Sequence, residues 1–171
     1  MAALLETVKL ASTLELDIDV AGTLSSQEEV GIRGVSTAAK SLRADVAIVF
    51  EGCPADDTFE NREMAQSALW AGPMLRHFDR SMITNPRFMR HTINLAKEKN
   101  IPMQEAVRSG GGTNGAHIHT AKNGIPTIVI GIPVRYVHSH HGWVSCDDYE
   151  NAVKLAIAVM ESLNQDIIRS F

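Results

Sequence analysis

Apolar and polar positions recur along this chain with two periods that repeatedly change places. "AALLETVKLAS" carries Ala2, Leu5, Val8 and Ala11 on one helical stripe. "DIDVAGTLS" then alternates as a strand does, with Ile18, Val20 and small residues after them. "GIRGVSTAAKSL" has a helical pattern, and "DVAIVFEG" is a continuous apolar run of the kind buried on both faces of a sheet. "GPMLRHFD" and "IPMQEAVR" predict two further strands. Between them "NPRFMRHTINLAKEKN" predicts a helix with Asn85 as N-cap, Pro86 in its first turn, and Phe88, Ile93 and Leu95 among its apolar positions. The glycine-rich "SGGGTNGAHIHTAKNG" predicts a loop and helix, and "IPTIVIGIPVRYVHS" one or two strands. After Ser145, "DDYENAVKLAIAVMESLNQDI" predicts an amphipathic helix with Tyr149, Val153, Leu155, Ala156 and Val159 inward. Strands alternating with helices argue for a three-layer α/β domain. The first helical pattern starts at Ala2 with no capping residue ahead of it, so the chain is expected to begin inside an element.

Composition narrows the partners. A chain of 171 residues, 44% hydrophobic and 21% charged, fits one domain over residues 1–171. The net charge of −4 is spread along the chain, and the absence of a lysine/arginine block predicts neither nucleic acid nor an anionic membrane as partner. The longest apolar run, "IPTIVIGIPV", is too short to span a bilayer. No basic, apolar and small-residue leader pattern follows Met1, and Cys53 and Cys146 make no disulfide framework. A cytoplasmic protein is the simplest expectation.

Several residues carry candidate chemistry. "SSQEEVGIRG" sets Glu28 beside Glu29 where a strand pattern ends. In extended backbone, neighbours point to opposite sides, so one carboxylate could bind a metal while the other faces a water. A solvated turn would look the same. Glu51 ends the apolar run "DVAIVFEG", a good ligand position, although a strand-end residue turning to solvent has the same signature. His138 follows another long apolar run, and imidazole with carboxylates is a normal zinc or cobalt ligand set. His140 and His141 are expected to be solvated or to support the ligands from behind. "GGGTNG" matches G-x-G-x-x-G, but the acidic residue expected about 20 residues downstream of a dinucleotide loop is missing. Met64, Met74, Met82, Met89 and Met103 read as gap-filling residues.

Together, "SSQEEVGIRG", "DVAIVFEG", "GPMLRHFDRSMI", "SGGGTNGAHIH" and "VRYVHSHHGWVSCDDYENAVKL" resemble the tetrahedral-aminopeptidase and glutamyl-aminopeptidase group of dinuclear metallopeptidases, some of which carry an endoglucanase label. The likeness implies a zinc-peptidase-like three-layer α/β/α sandwich with a mostly parallel, mixed sheet. It also implies Glu28 as general base, Glu29 and Glu51 as ligands of different metals, and His138 as the last histidine ligand. Two divalent metals per site, zinc or cobalt, a peptide substrate with a free α-amine, and a homo-oligomer belong to the same expectation.

Two departures from the family pattern matter. Its early His-x-Asp motif, its bridging aspartate and its inserted β-rich dimerisation domain have no counterpart here. The usual Gly-Gly-Thr-Asp reads "GGTN", so Asn114 is expected to remove a charge from the pocket wall. A catalytic zinc normally has three protein ligands. The chain alone is therefore expected to bind metal weakly and to hydrolyse peptides poorly or not at all. Its alternatives are an inert remnant, or half of a split enzyme that a missing N-terminal segment completes.

Overall fold

The computed structural model describes all residues except 42 and 62. Helix α1 (Ala2–Ala11) forms as its pattern predicts, but rotated: Ala3, Thr7 and Ala11 are buried, while Leu5 is 53% exposed. The reason is its neighbour. α1 packs on α5 (Cys146–Ser162), and small residues at i, i+4 let the two helices approach closely.

The alternating run that follows is not a strand. Residues 18–25 have no ladder, because a strand exists only where a neighbour supplies its hydrogen bonds. Among the described residues none does. Helix α2 (Arg33–Ala38) is shorter than its pattern.

Four strands form the sheet: β1 (Ala47–Pro54), β2 (Met74–Phe78), β3 (Gln104–Val107) and β4 (Thr127–Val134), in the order β1-β4-β2-β3. β1 runs parallel to β4, and β2 parallel to β3; the two pairs meet antiparallel at β4–β2, where Met74 faces Gly131 and Leu75 faces Ile130. Gly131 is squeezed from both sides, since a Cβ there would stand 2.9 Å from Cys53 Sγ on β1 and 3.2 Å from Met74 Cε on β2.

One face of the sheet is covered by α3 (Pro86–Glu98) and α5, with Leu75, Phe88, Ile128, Ile130, Leu155 and Val159 between them. Burying each such side chain stabilises the fold by about 1.5–3 kcal/mol. The other face carries α2 and the single turn α4 (Gly115–Ile118), which enclose Val35, Val49, Met82, Ile118 and Val129. The result is the expected three layers around a mixed sheet.

Helix ends behave as their cap residues dictate. Asn85 Oδ1 accepts from the N–H groups of Arg87 and Phe88, each at 3.0 Å, and Phe171 stacks on Phe88 at 4.6 Å. Ser145 begins α5. The closing helix breaks at Leu163, whose ψ of 135° is extended, and Asn164 caps a separate α6 (Gln165–Arg169). Buried Asp148 reaches back from α5 to accept from the N–H groups of Trp70 and Gly72, both at 2.7 Å. The indoles of Trp70 and Trp143 stay outside, 66% and 64% exposed. Among the described residues no helix is long and apolar enough to cross a membrane.

Candidate metal centre

Glu28 and Glu29 lie in a tight turn rather than in extended backbone. Gln27 and Ile32 both take left-handed φ values, 58° and 54°, and the carbonyl of Glu28 accepts from the N–H groups of Gly31 and Ile32. Gly31 has φ 111°, which an L side chain rarely adopts. Gly34 is fixed by contact instead: its N–H donates to Ser26 O, and a Cβ would fall 2.2 Å from that oxygen. The two carboxylates still differ in environment, but through the turn. Glu28 is half-buried and Glu29 exposed.

Glu51 is near the carboxyl end of β1, opposite Gly131 of β4. His138 lies beyond β4 in a turn where Tyr136 and His138 both have positive φ, 58° and 61°. Held so, its Nε2 is 3.0 Å from Glu29 Oε2. All four predicted residues border one cleft of about 830 Å³.

The cleft crowds negative charge. Burial pushes the Glu51 carboxyl up to about 7, and repulsion from Glu28 adds to it, with the Arg76 guanidinium opposing. Glu28 is also raised, first by burial and then by Glu29, while His138 and Arg76 pull it down. Arg76 is buried on β2; its Nη1 donates to Asp79 at 3.0 Å, and its Nε is without a partner among the described residues. Across from the acidic wall stand the exposed apolar side chains of Phe59, Met64 and Val107. That wall is tied down by Arg108, which donates two hydrogen bonds to Asp56 at 2.5 and 2.8 Å.

Four further residues bear on the sequence reading. His140 and His141 face a separate open hollow with Tyr136 and Trp143, away from the carboxylates. Asn114 does not line the acidic cleft. It borders a second cavity with Thr7 and Val35, because α4 turns it towards α1 and β1. Arg76 was not legible as a site residue, although a charged residue inside the apolar run "MLRHF", three before an aspartate, is the trace a buried ion pair leaves.

An excess of close carboxylates suits a divalent cation in charge. The donor count does not suffice: among the described residues, no three His, Cys, Asp or Glu side chains stand where together they could hold a metal. Glu29 and His138 contact one another, and Glu28 adds to the repulsion that raises the Glu51 carboxyl.

Known proteins resemble the chain along nearly its whole length. The chain is 31% identical to the glutamyl aminopeptidase of Lactococcus lactis over 95% of its own length and 45% of that protein's. The crystal structure of a TET aminopeptidase from a marine-sediment thaumarchaeon superposes with a TM-score of 0.93 at 38% identity, over 98% of this chain and 48% of that one. A Pyrococcus horikoshii TET1 peptidase, which assembles into a tetrahedron or a large octahedral shell, matches with a TM-score of 0.82 at 27% identity over 94% and 46% of the two chains. The chain thus spans about half the length of the relatives it matches. Residues 1–155 fit the profile described as M42 glutamyl aminopeptidase, and the chain belongs to that family of metal-dependent aminopeptidases.

Proposed function

We propose that the chain is part of the catalytic domain of an aminopeptidase that removes N-terminal residues from peptides, with Glu28 as general base and Glu29, Glu51 and His138 as metal ligands. The observation that supports this reading is convergence: side chains from three distant segments border one cleft, with Glu29 and His138 in contact. Divalent metal, zinc or cobalt and two per site, supplies acidified water and a polarised carbonyl when bound. The donors present among the described residues do not complete a shell around it. Glu28, whose carboxyl burial holds above its usual range, is suited to take a proton from water and return it to the leaving amine. The acidic wall favours a substrate whose α-amine is free and protonated.

The incomplete donor set favours a second reading beside the first: the chain alone is a remnant, or it works when another segment completes it. We further propose a homo-oligomer in the cytoplasm, the former by analogy with the shell-forming P. horikoshii relative.

Isothermal titration with zinc and cobalt, alongside leucyl- and glutamyl-anilide hydrolysis, tests the set. Weak metal binding and little turnover are expected of the chain alone. Sub-micromolar binding of two metals with turnover would show that it needs no other segment. Metal that binds equally well after Glu29→Gln, Glu51→Gln and His138→Ala would remove the assigned ligands.

A further inference from the structure

β1 ends at Pro54, and after Ala55 come two neighbouring carboxylates that reach to different segments. Asp56 accepts from Arg108 Nη1 and Nη2 at 2.5 and 2.8 Å, and from the N–H of Gln66 at 3.2 Å. Asp57 accepts from Arg135 Nε and Nη2 at 3.0 and 2.9 Å, and from the N–H of Leu69 at 3.0 Å. Both pairs are mostly buried, and two-pronged arginine–carboxylate bonds fix direction as well as distance.

Each arginine stands at the root of a loop that borders the acidic cleft. Arg108 precedes the glycine loop 109–112, where a Cβ at Gly110 or Gly111 would meet nothing within 4 Å. Arg135 begins the turn that carries His138, closed by paired main-chain bonds between Arg135 and Trp143 at 2.9 and 3.0 Å. Packing does not hold either loop: residues 109–111 are exposed, and so are Tyr136 and 138–144. Yet Tyr136 and His138 keep left-handed backbone. Such backbone persists only where its surroundings impose it. The grip of Asp57 on Arg135 ties that turn to the end of β1, the strand that carries Glu51.

We propose that Asp56 and Asp57 are positioning residues, a fork of two carboxylates that sets the two loops against each other. Asp57 holds His138 beside Glu29 through Arg135, and Asp56 holds the glycine loop through Arg108. The proposal deepens the peptidase reading and rests on it for its purpose, since the fork acts on the cleft without supplying a ligand or a base. Because the two arms reach different segments, each should fail alone.

The test is nuclear magnetic resonance of the full chain, wild type against Asp57→Asn, Arg135→Lys and Asp56→Asn, each checked for folding by circular dichroism. Asn keeps the size of Asp and an oxygen for the Leu69 N–H, while Lys keeps the charge of Arg without its fork. Asp57→Asn should speed exchange of the Arg135 and Trp143 amides at least about tenfold, with Val129 and Ile130 of β4 exchanging as in the wild type. The His138 imidazole resonances should move towards those of Glu29→Ala, in which the 3.0 Å contact cannot form. Arg135→Lys carries the same two expectations should Asp57→Asn fail to fold. Asp56→Asn should instead speed the Arg108 amide, which donates to Phe78 O, and leave Arg135, Trp143 and the imidazole unchanged. A His138 imidazole unmoved by Asp57→Asn and Arg135→Lys, or moved as far by Asp56→Asn, overturns the fork. So does faster exchange spread evenly over β4, the mark of a pair that only adds stability. None of these readouts needs metal, so zinc titration judges the ligand assignment separately.

Discussion

Glu29 and His138, from opposite ends of the chain, meet at 3.0 Å on the surface of the acidic cleft. Both side chains are more than two-thirds exposed, 71% and 73%, so their attraction is screened by water and adds little to folding. What holds them together is backbone: left-handed turns at Gln27, Ile32, Tyr136 and His138 aim the side chains. Strained backbone of this kind is commonest where position matters more than stability.

Glu51 makes the metal-free chain sensitive to pH. Its carboxyl is raised from 4.5 to about 7 in the folded state, so the fold binds that proton more tightly than the unfolded chain. The contribution is fully present below pH 4.5 and is lost as pH rises through about 7. Urea midpoints measured with EDTA should therefore fall between pH 5 and pH 8, and Glu51→Gln should flatten that fall. An equal slope in the variant removes Glu51 as the cause.

Gly34→Ala should destabilise the fold by about 2 kcal/mol or more, a typical cost of forced backbone displacement. Its Cβ would meet Ser26 O, on the turn that carries both glutamates. Urea titration gives the loss, and the Glu29–His138 contact should open with it. Wild-type stability would mean that the turn relaxes freely.

Asp148→Ala should cost about 3 kcal/mol, because two buried hydrogen bonds to a carboxylate go at once. Fast amide exchange at Trp70 and Gly72 should accompany the loss. Exchange unchanged at those two positions would show that other acceptors replace Asp148.

Glu28→Gln separates base from ligand. In the form that hydrolyses peptides, kcat should fall by about 10²–10⁴-fold, the usual worth of a general base. Zinc affinity measured by titration should change by less than about threefold, since Gln keeps the size of Glu28 and the variant leaves Glu29, Glu51 and His138 in place. A large loss of zinc affinity instead would make Glu28 a ligand.

Legibility followed the strength of local signals. Asn85-Pro86 fixed the start of α3, and the apolar runs ending at Glu51 and before His138 located β1 and β4. That Glu28, Glu29, Glu51 and His138 share one cleft was readable from the order of the motifs along the chain. Residues 18–25 misled because alternation reports a preference, while a strand also needs a partner. The stripe on α1 was misread for a similar reason: its buried face is chosen by α5, which one helix's periodicity cannot reveal. The placement of Asn114 depended on the three-dimensional fold alone, and Arg76 left only the trace of a charge inside an apolar run.

The position of the two indoles decides how this molecule can be watched. Trp70 has the Arg135 guanidinium over its ring, at 5.1 Å, and Trp143 is equally open to water. The native emission spectrum should already peak where solvated tryptophan does, so intrinsic fluorescence will barely register denaturation. Far-ultraviolet dichroism of the helices must follow unfolding, leaving the two fluorophores to report whatever docks against the outer surface.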